Sequence, residues 1–103
     1  MLFVLISWLR RSVALQIENP TMKTPTERQG QFLAFIHHYR LLNGCAPSEA
    51  DMERYFKITP PSVHSMVLML ERRGYIQRVP RQARSIALII PTEKLPPLKL
   101  IDP

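Results

Sequence analysis

The sequence predicts a mainly helical α+β domain, a three-helix bundle followed by a two-stranded β-hairpin, which is the winged helix-turn-helix arrangement. Three observations carry that prediction. Helix start signals recur at Thr24, Ser48 and Thr59, and glycines stand at 44 and 74 where the first and third helices would stop. The second and third helical segments are joined only by Lys57-Ile58 and the cap that follows. After Gly74 the apolar pattern changes from helical to alternating.

Bulk properties bound the answer. A chain of 103 residues suits one compact domain, and a hydrophobic share of 46% is enough for a modest core. Fourteen Lys and Arg against eight acids leave a net charge of +6, which calls for a polyanionic partner or an anionic membrane surface. Cys45 is the single cysteine, so no intramolecular disulfide forms and a reducing, cytosolic setting is expected. It reads as a small apolar side chain after a helix, with no activating group beside it.

Residues 1–21 form an apolar extension. MLFVLISWL is far shorter than the ~20 residues that span a bilayer, so no transmembrane anchor is expected. Its arginines, Arg10 and Arg11, follow the apolar run, whereas a secretory signal places them first. Three readings stay open: an extension upstream of a natural start at Met22, a helix that packs on the domain, or a dimerisation helix. Leu2, Leu5, Ile6, Leu9 and Val13 share one helical face, as the packing readings require.

The domain proper is expected over residues 22–91. Its first helix reads as capped by Thr24, with Pro25 at the first position and Glu27 completing a capping box. Phe32, Phe35, Ile36, Tyr39 and Leu42 make its core stripe, with Gln31 and His38 outside it and Leu33 and Leu41 set aside for a dimer contact. The second helix opens at Ser48, carries Glu49 and Asp51 in its first turn, and buries Met52 and Phe56. The third takes Thr59 as cap and Pro60 as first residue, then buries Val63, Met66, Val67 and Leu70 at helical spacing. Tyr75–Val79 and Ser85–Ile90 read as strands, with Ile86, Leu88 and Ile90 on one face and an arginine-bearing tip between. Residues 92–103 are a proline-rich tail expected to run extended over the surface.

This order of elements suits DNA, because a third helix held by one face offers its amino-terminal end to the major groove. Charge agrees: from Arg72 to Arg84 there are five arginines (Arg72, Arg73, Arg78, Arg81, Arg84) and no acid. Glu49, Asp51 and Glu53 gather instead on the second helix. Arg72, Arg78, Arg81 and Arg84 are therefore expected to engage phosphate, with Arg81 or Arg84 alternatively entering the minor groove.

TPTERQGQFLAFIHHYRLLNGCAPSEADM, ITPPSVHSMVLMLERRGYI and RQARSIALI together resemble the amino-terminal DNA-binding domain of the LexA repressor family. The resemblance covers about residues 24–90 and rests on the T-x-R-Q start, the Gly-x-x-Pro-Ser lead-in to the second helix, and the R-x-G-x-I after the third. It implies a winged-helix transcriptional regulator, repressor-like, that binds double-stranded DNA, commonly as a homodimer on paired half-sites. By position, the family's base-reading end corresponds to Thr59, Pro61, Ser62, His64 and Ser65. Pro61, Ser62, His64 and Ser65 differ from the usual types. Glu53 stands where a small residue is usual, and Lys57 where glycine is. The family's carboxy-terminal self-cleaving domain is not expected in this chain.

Other chemistries fare worse. Ser62, His64 and Ser65 suggest a hydrolase, yet neighbours two residues apart on a helix diverge and no acid stands nearby in sequence. His37 and His38 diverge by about 100° and chelate poorly. No catalytic residue, cofactor or metal is expected. The competing readings are a winged-helix protein–protein interaction module and a membrane-associated regulator anchored by MLFVLISWL. A steep loss of binding with salt distinguishes DNA from either.

Overall fold

The computed structural model describes residues 23–100; the amino-terminal apolar run lies outside them. Three helices precede an antiparallel two-stranded hairpin, and a short tail folds back over the first helix.

Helix α1 spans Glu27–Asn43. Its cap is Thr26, two residues later than predicted, because Thr26 itself is extended at ψ 167°. The box is closed by Gln29 in place of Glu27: Thr26 Oγ1 accepts from the Gln29 N–H (3.2 Å), and Gln29 Oε1 accepts from the Thr26 N–H (2.9 Å). Upstream, the Tyr75 hydroxyl donates to the Lys23 carbonyl and fixes the incoming chain. Gly44, at φ 76°, ends the helix as predicted, its N–H donating to the Arg40 carbonyl.

The core stripe of α1 holds from Phe32 to Tyr39 and fails at Leu42, which is 85% exposed. The last turn of α1 runs past the bundle, so helical spacing continues where nothing remains to pack against. Leu33, set aside for a dimer contact, is fully buried, and Gln29 and Gln31 are buried as well. Leu33 joins the core cluster, Gln29 reaches Met69 on the third helix, and Gln31 is covered by the tail. The tail crosses α1 at Gly30 and Gln31.

Helix α2 (Glu49–Phe56) carries the predicted Ser48 cap, with the Asp51 carboxylate accepting from the Ser48 N–H (2.9 Å) and Ser48 Oγ accepting from the Asp51 N–H (3.1 Å). Met52 and Phe56 are buried, and Phe56 stacks on Phe32 with centroids 4.0 Å apart. The helix ends at Lys57 with φ 56°, the left-handed conformation that glycine adopts without strain.

Helix α3 (Pro60–Arg72) starts after Thr59 and buries Val63, Val67 and Leu70 completely, with Met66 half-buried. Strands β1 (Ile76–Gln77) and β2 (Ala87–Leu88) pair antiparallel in the register Ile76↔Leu88 and Gln77↔Ala87. Both are shorter than predicted. Near the tip the Ser85 hydroxyl accepts from the Val79 N–H (2.9 Å) and donates to the Val79 carbonyl (3.1 Å), a side-chain clasp in place of a backbone ladder. Ile86 and Ile90 face the core as the alternation required.

After a 3-10 turn at Thr92–Lys94, the tail crosses α1. Gln31 Nε2 donates to the Pro97 carbonyl (3.0 Å), Gln31 Oε1 accepts from the Lys99 N–H (2.8 Å), and the Tyr55 hydroxyl donates to the Lys99 carbonyl (2.7 Å). Leu95 and Leu98 pack against the core, and Lys99 pairs with Glu27. The expected extended tail is a strap.

Candidate nucleic-acid interface

The projecting end of α3 follows from its first four residues. Pro60 and Pro61 fix the backbone for a helix start, and neither has an N–H. A helix ordinarily offers free N–H groups at this end to an anion. Here the two prolines remove part of that set, so this end offers a ligand side chains more than backbone N–H groups. Thr59 caps by position only; its hydroxyl meets the Ser62 hydroxyl at 3.0 Å. Thr59, Pro61, Ser62, His64 and Ser65 are all exposed, while Val63 between them is fully buried. One face anchors and the other projects.

The His64 ring is not free. Its Nδ1 lies 3.3 Å from both carboxylate oxygens of Glu49, at the start of α2. No acid neighbours His64 along the chain, and the fold supplies one. A hydrolytic set would still need a serine at the ring's other nitrogen, whereas the Ser62 hydroxyl is engaged with Thr59. The contact ties the imidazole to the start of α2. Sequence separation of 15 residues hides it; only packing of α2 against α3 reveals it.

The basic run divides into two groups. Arg72, Arg73 and Arg81 are exposed. Arg78 donates through Nε to Glu71 Oε1 (3.1 Å), and its side chain is only 15% exposed. Arg84, its side chain still 42% exposed, reaches back from the wing: its Nη1 lies 3.0 Å from Asp51 Oδ2, 3.1 Å from the Ala46 carbonyl oxygen and 3.1 Å from the Tyr39 hydroxyl. Arg81 and Arg84 both have left-handed backbones, at φ 66° and 58°. A cleft of about 270 Å³ separates the wing from the start of α2, lined by Pro47, Glu49, Arg78, Arg81, Gln82 and Ile86. Glu49 thus touches both the cleft and the projecting end of α3.

Asp51 is the electrostatic centre behind this surface. Burial opposes its charge, yet the Ser48 N–H and hydroxyl, the Tyr39 hydroxyl and the Arg84 charge together hold its carboxyl below the usual carboxylate range. Arg54 pairs with the other oxygen of Asp51. Arg84 is held more firmly in its charged form by Tyr39 first, against partial burial, and then by Asp51. The sequence reading assigned Asp51 only to the first turn of a helix. Its spacing from Ser48 identified the cap, but nothing local identified Arg84 as its partner.

The remaining candidates are quiet. His37 and His38 tilt apart with ring centroids at 5.5 Å, and no group of three or more His, Cys, Asp or Glu among the described residues could hold a metal ion. Cys45 is exposed, not packed as expected, because it follows Gly44 at the end of α1 beyond the bundle. No helix among the described residues is long and apolar enough to cross a membrane.

A family model described as the LexA DNA binding domain matches residues 22–85, which takes in α1 through the wing tip. The chain belongs to the LexA DNA-binding domain family. It is 46% identical over 68 residues to the LexA repressor of Thermosipho melanesiensis, covering 66% of this chain and 34% of that protein. The LexA repressor of Thermosipho africanus is 47% identical over 68 residues, with the same coverage of 66% and 34%. That of Thermotoga maritima is 37% identical over 67 residues, covering 65% of this chain and 34% of its own. The chain therefore spans about a third of the length of the curated relatives it matches. Within a LexA-type domain, Lys57 occupies a left-handed position, which explains why glycine suits it.

Proposed function

We propose that this chain binds double-stranded DNA sequence-specifically and acts as a repressor-like transcriptional regulator. In this reading α3 enters the major groove, Ser62, His64 and Ser65 meet base edges, and Thr59 and Pro61 shape the approach. Arg72, Arg73 and Arg81 engage phosphate, which positions the domain without reading sequence. The observation that carries the proposal is the split on α3: Val63, Val67 and Leu70 are fully buried while Ser62, His64 and Ser65 project. Family membership and the repressor names of the relatives support the same reading. A DNA-binding role puts the protein in the cytoplasm with the chromosome, and two copies on paired half-sites fit the symmetry of helix-turn-helix operators.

Selection from random duplex DNA at moderate salt tests it. Enrichment of a consensus, with affinity falling steeply as salt rises, is the expected result. Failure to enrich any duplex, with binding indifferent to salt, would overturn it in favour of a protein partner. The solution mass of the complex, and the presence or absence of an inverted repeat in the consensus, decides the pairing.

A further inference from the structure

Arg84 lies in a wing that the functional reading places on DNA, yet its partners are all in the protein. One guanidinium nitrogen is within 3.1 Å of acceptors on α1, on the loop before α2 and on α2 itself: the Tyr39 hydroxyl, the Ala46 carbonyl and Asp51 Oδ2. The guanidinium carbon also lies 5.8 Å from the Tyr39 ring centroid, over its face. The tip itself is a poor spring. It contains two left-handed non-glycine residues, Arg81 and Arg84, and is closed by the Ser85–Val79 clasp. Such a loop keeps one conformation only where its surroundings over-determine it.

We propose that Arg84 is a positioning residue for DNA binding: with Asp51 it latches the wing to the helical bundle, and so sets where Arg81 meets the backbone. The proposal rests on the DNA-binding reading above. The acid answers why a basic wing residue should be drawn inward. Asp51 is buried and accepts from the Ser48 N–H at the start of α2, so the latch ends on the helix whose Glu49 holds His64. Wing and reading end then share one rigid support. Arg54 does not compete, since it reaches the other carboxylate oxygen from the same helix.

The two roles predict opposite signs for one substitution. A phosphate-binding Arg84 would be released by removing Asp51, and affinity would hold or rise as net positive charge increases. A latch would lose its ion pair by the same change, and affinity would fall despite the added charge. Asp51→Asn keeps the oxygen that accepts from the Ser48 N–H, so α2 retains its cap; because that oxygen also meets Arg84, the change removes the charge of the latch and leaves it one neutral acceptor.

The test uses the full chain and a duplex it selects, with Arg84→Met, Asp51→Asn, the double variant and Arg81→Met. Affinity is measured across a salt series well below each variant's unfolding temperature. The expected result is a loss of about tenfold for Arg84→Met, a smaller loss for Asp51→Asn, and no loss in the double variant beyond that of Arg84→Met. The slope of log affinity against log salt should equal that of the unaltered chain, because the freed wing still brings Arg81 to its phosphate but must first be ordered. Arg81→Met should instead reduce that slope by about 0.9, the loss of one phosphate contact. If Arg84→Met reduces the slope as Arg81→Met does, and Asp51→Asn binds as well as the unaltered chain, the latch is refuted while DNA binding stands. An unaltered chain that binds no duplex at low salt would overturn the DNA reading and the latch together.

Discussion

Replacing Gly30 with alanine tests whether the tail belongs to the folded domain. Gly30 is buried in α1, and a Cβ built there meets Pro96 Cγ at 2.9 Å and Pro96 Cδ at 3.2 Å. In an open helix the change would stabilise by about 1 kcal/mol through helix propensity. Here the proline ring must retreat, and a ring cannot rotate aside as a flexible chain end would. The strap around it is held by the Gln31–Pro97, Gln31–Lys99 and Tyr55–Lys99 hydrogen bonds. Losing these three at about 1 kcal/mol each outweighs the propensity gain and leaves a net loss of about 2 kcal/mol. Exposure of Leu95 and Leu98 adds to the loss. In urea the midpoint of Gly30→Ala should fall by roughly 1 M, given slopes of about 1–3 kcal/mol/M for small domains. Pro96→Gly removes the offending ring, so Gly30→Ala introduced into that variant should be neutral or stabilising. A midpoint that rises in the single variant would mean the tail moves away without cost, and the strap would then be no part of the fold.

Other substitutions address the core and the interface. Phe56→Ala removes a ring stacked on Phe32 in the buried core and should cost about 3–5 kcal/mol by thermal or urea unfolding, enough to leave a domain this small close to unfolded. The acid limb of the stability profile should carry Asp51. Its folded-state carboxyl is held below the ordinary 3.8, so the stability it contributes is complete above that value and is lost as pH falls through the depressed one. Asp51→Asn should therefore be less stable than the unaltered chain near neutrality, with the gap closing below pH 3.8; a constant gap down to pH 2 would refute the linkage. His64→Ala should relax base preference at one position of the selected duplex, with about 1–3 kcal/mol of discrimination lost there and the salt slope unchanged.

Much of this was legible before any coordinates. Ser48, Gly44 and Gly74 mark helix limits because their chemistry acts on the nearest backbone groups, within a few residues, and Thr59 marks one by its position before Pro60. The stripe Val63, Val67 and Leu70 is equally local, since helical spacing alone brings those side chains to one face. The exposed set Ser62, His64 and Ser65 follows by subtraction. Where the reading slipped, a rule of spacing had nothing to say about reach. Leu42 kept the beat of α1 but lay past the last element that could cover it, and Leu33 lost its solvent to the fold around α1.

The sequence by itself determined the order of elements, the face by which α3 is held, and the basic character of everything from Arg72 to Arg84. These depend on periodicity, caps and charge, which are properties of neighbours along the chain. Tertiary structure alone decided how that charge is spent. It drew Arg78 to Glu71 and Arg84 to Asp51, left Arg72, Arg73 and Arg81 outward, and placed Glu49 against His64. It also turned the proline-rich tail into a strap across Gly30 and Gln31. Those pairings join residues 7 to 68 positions apart, so no local pattern encodes them. They exist because the packed core brings the two ends of each pair within hydrogen-bonding distance.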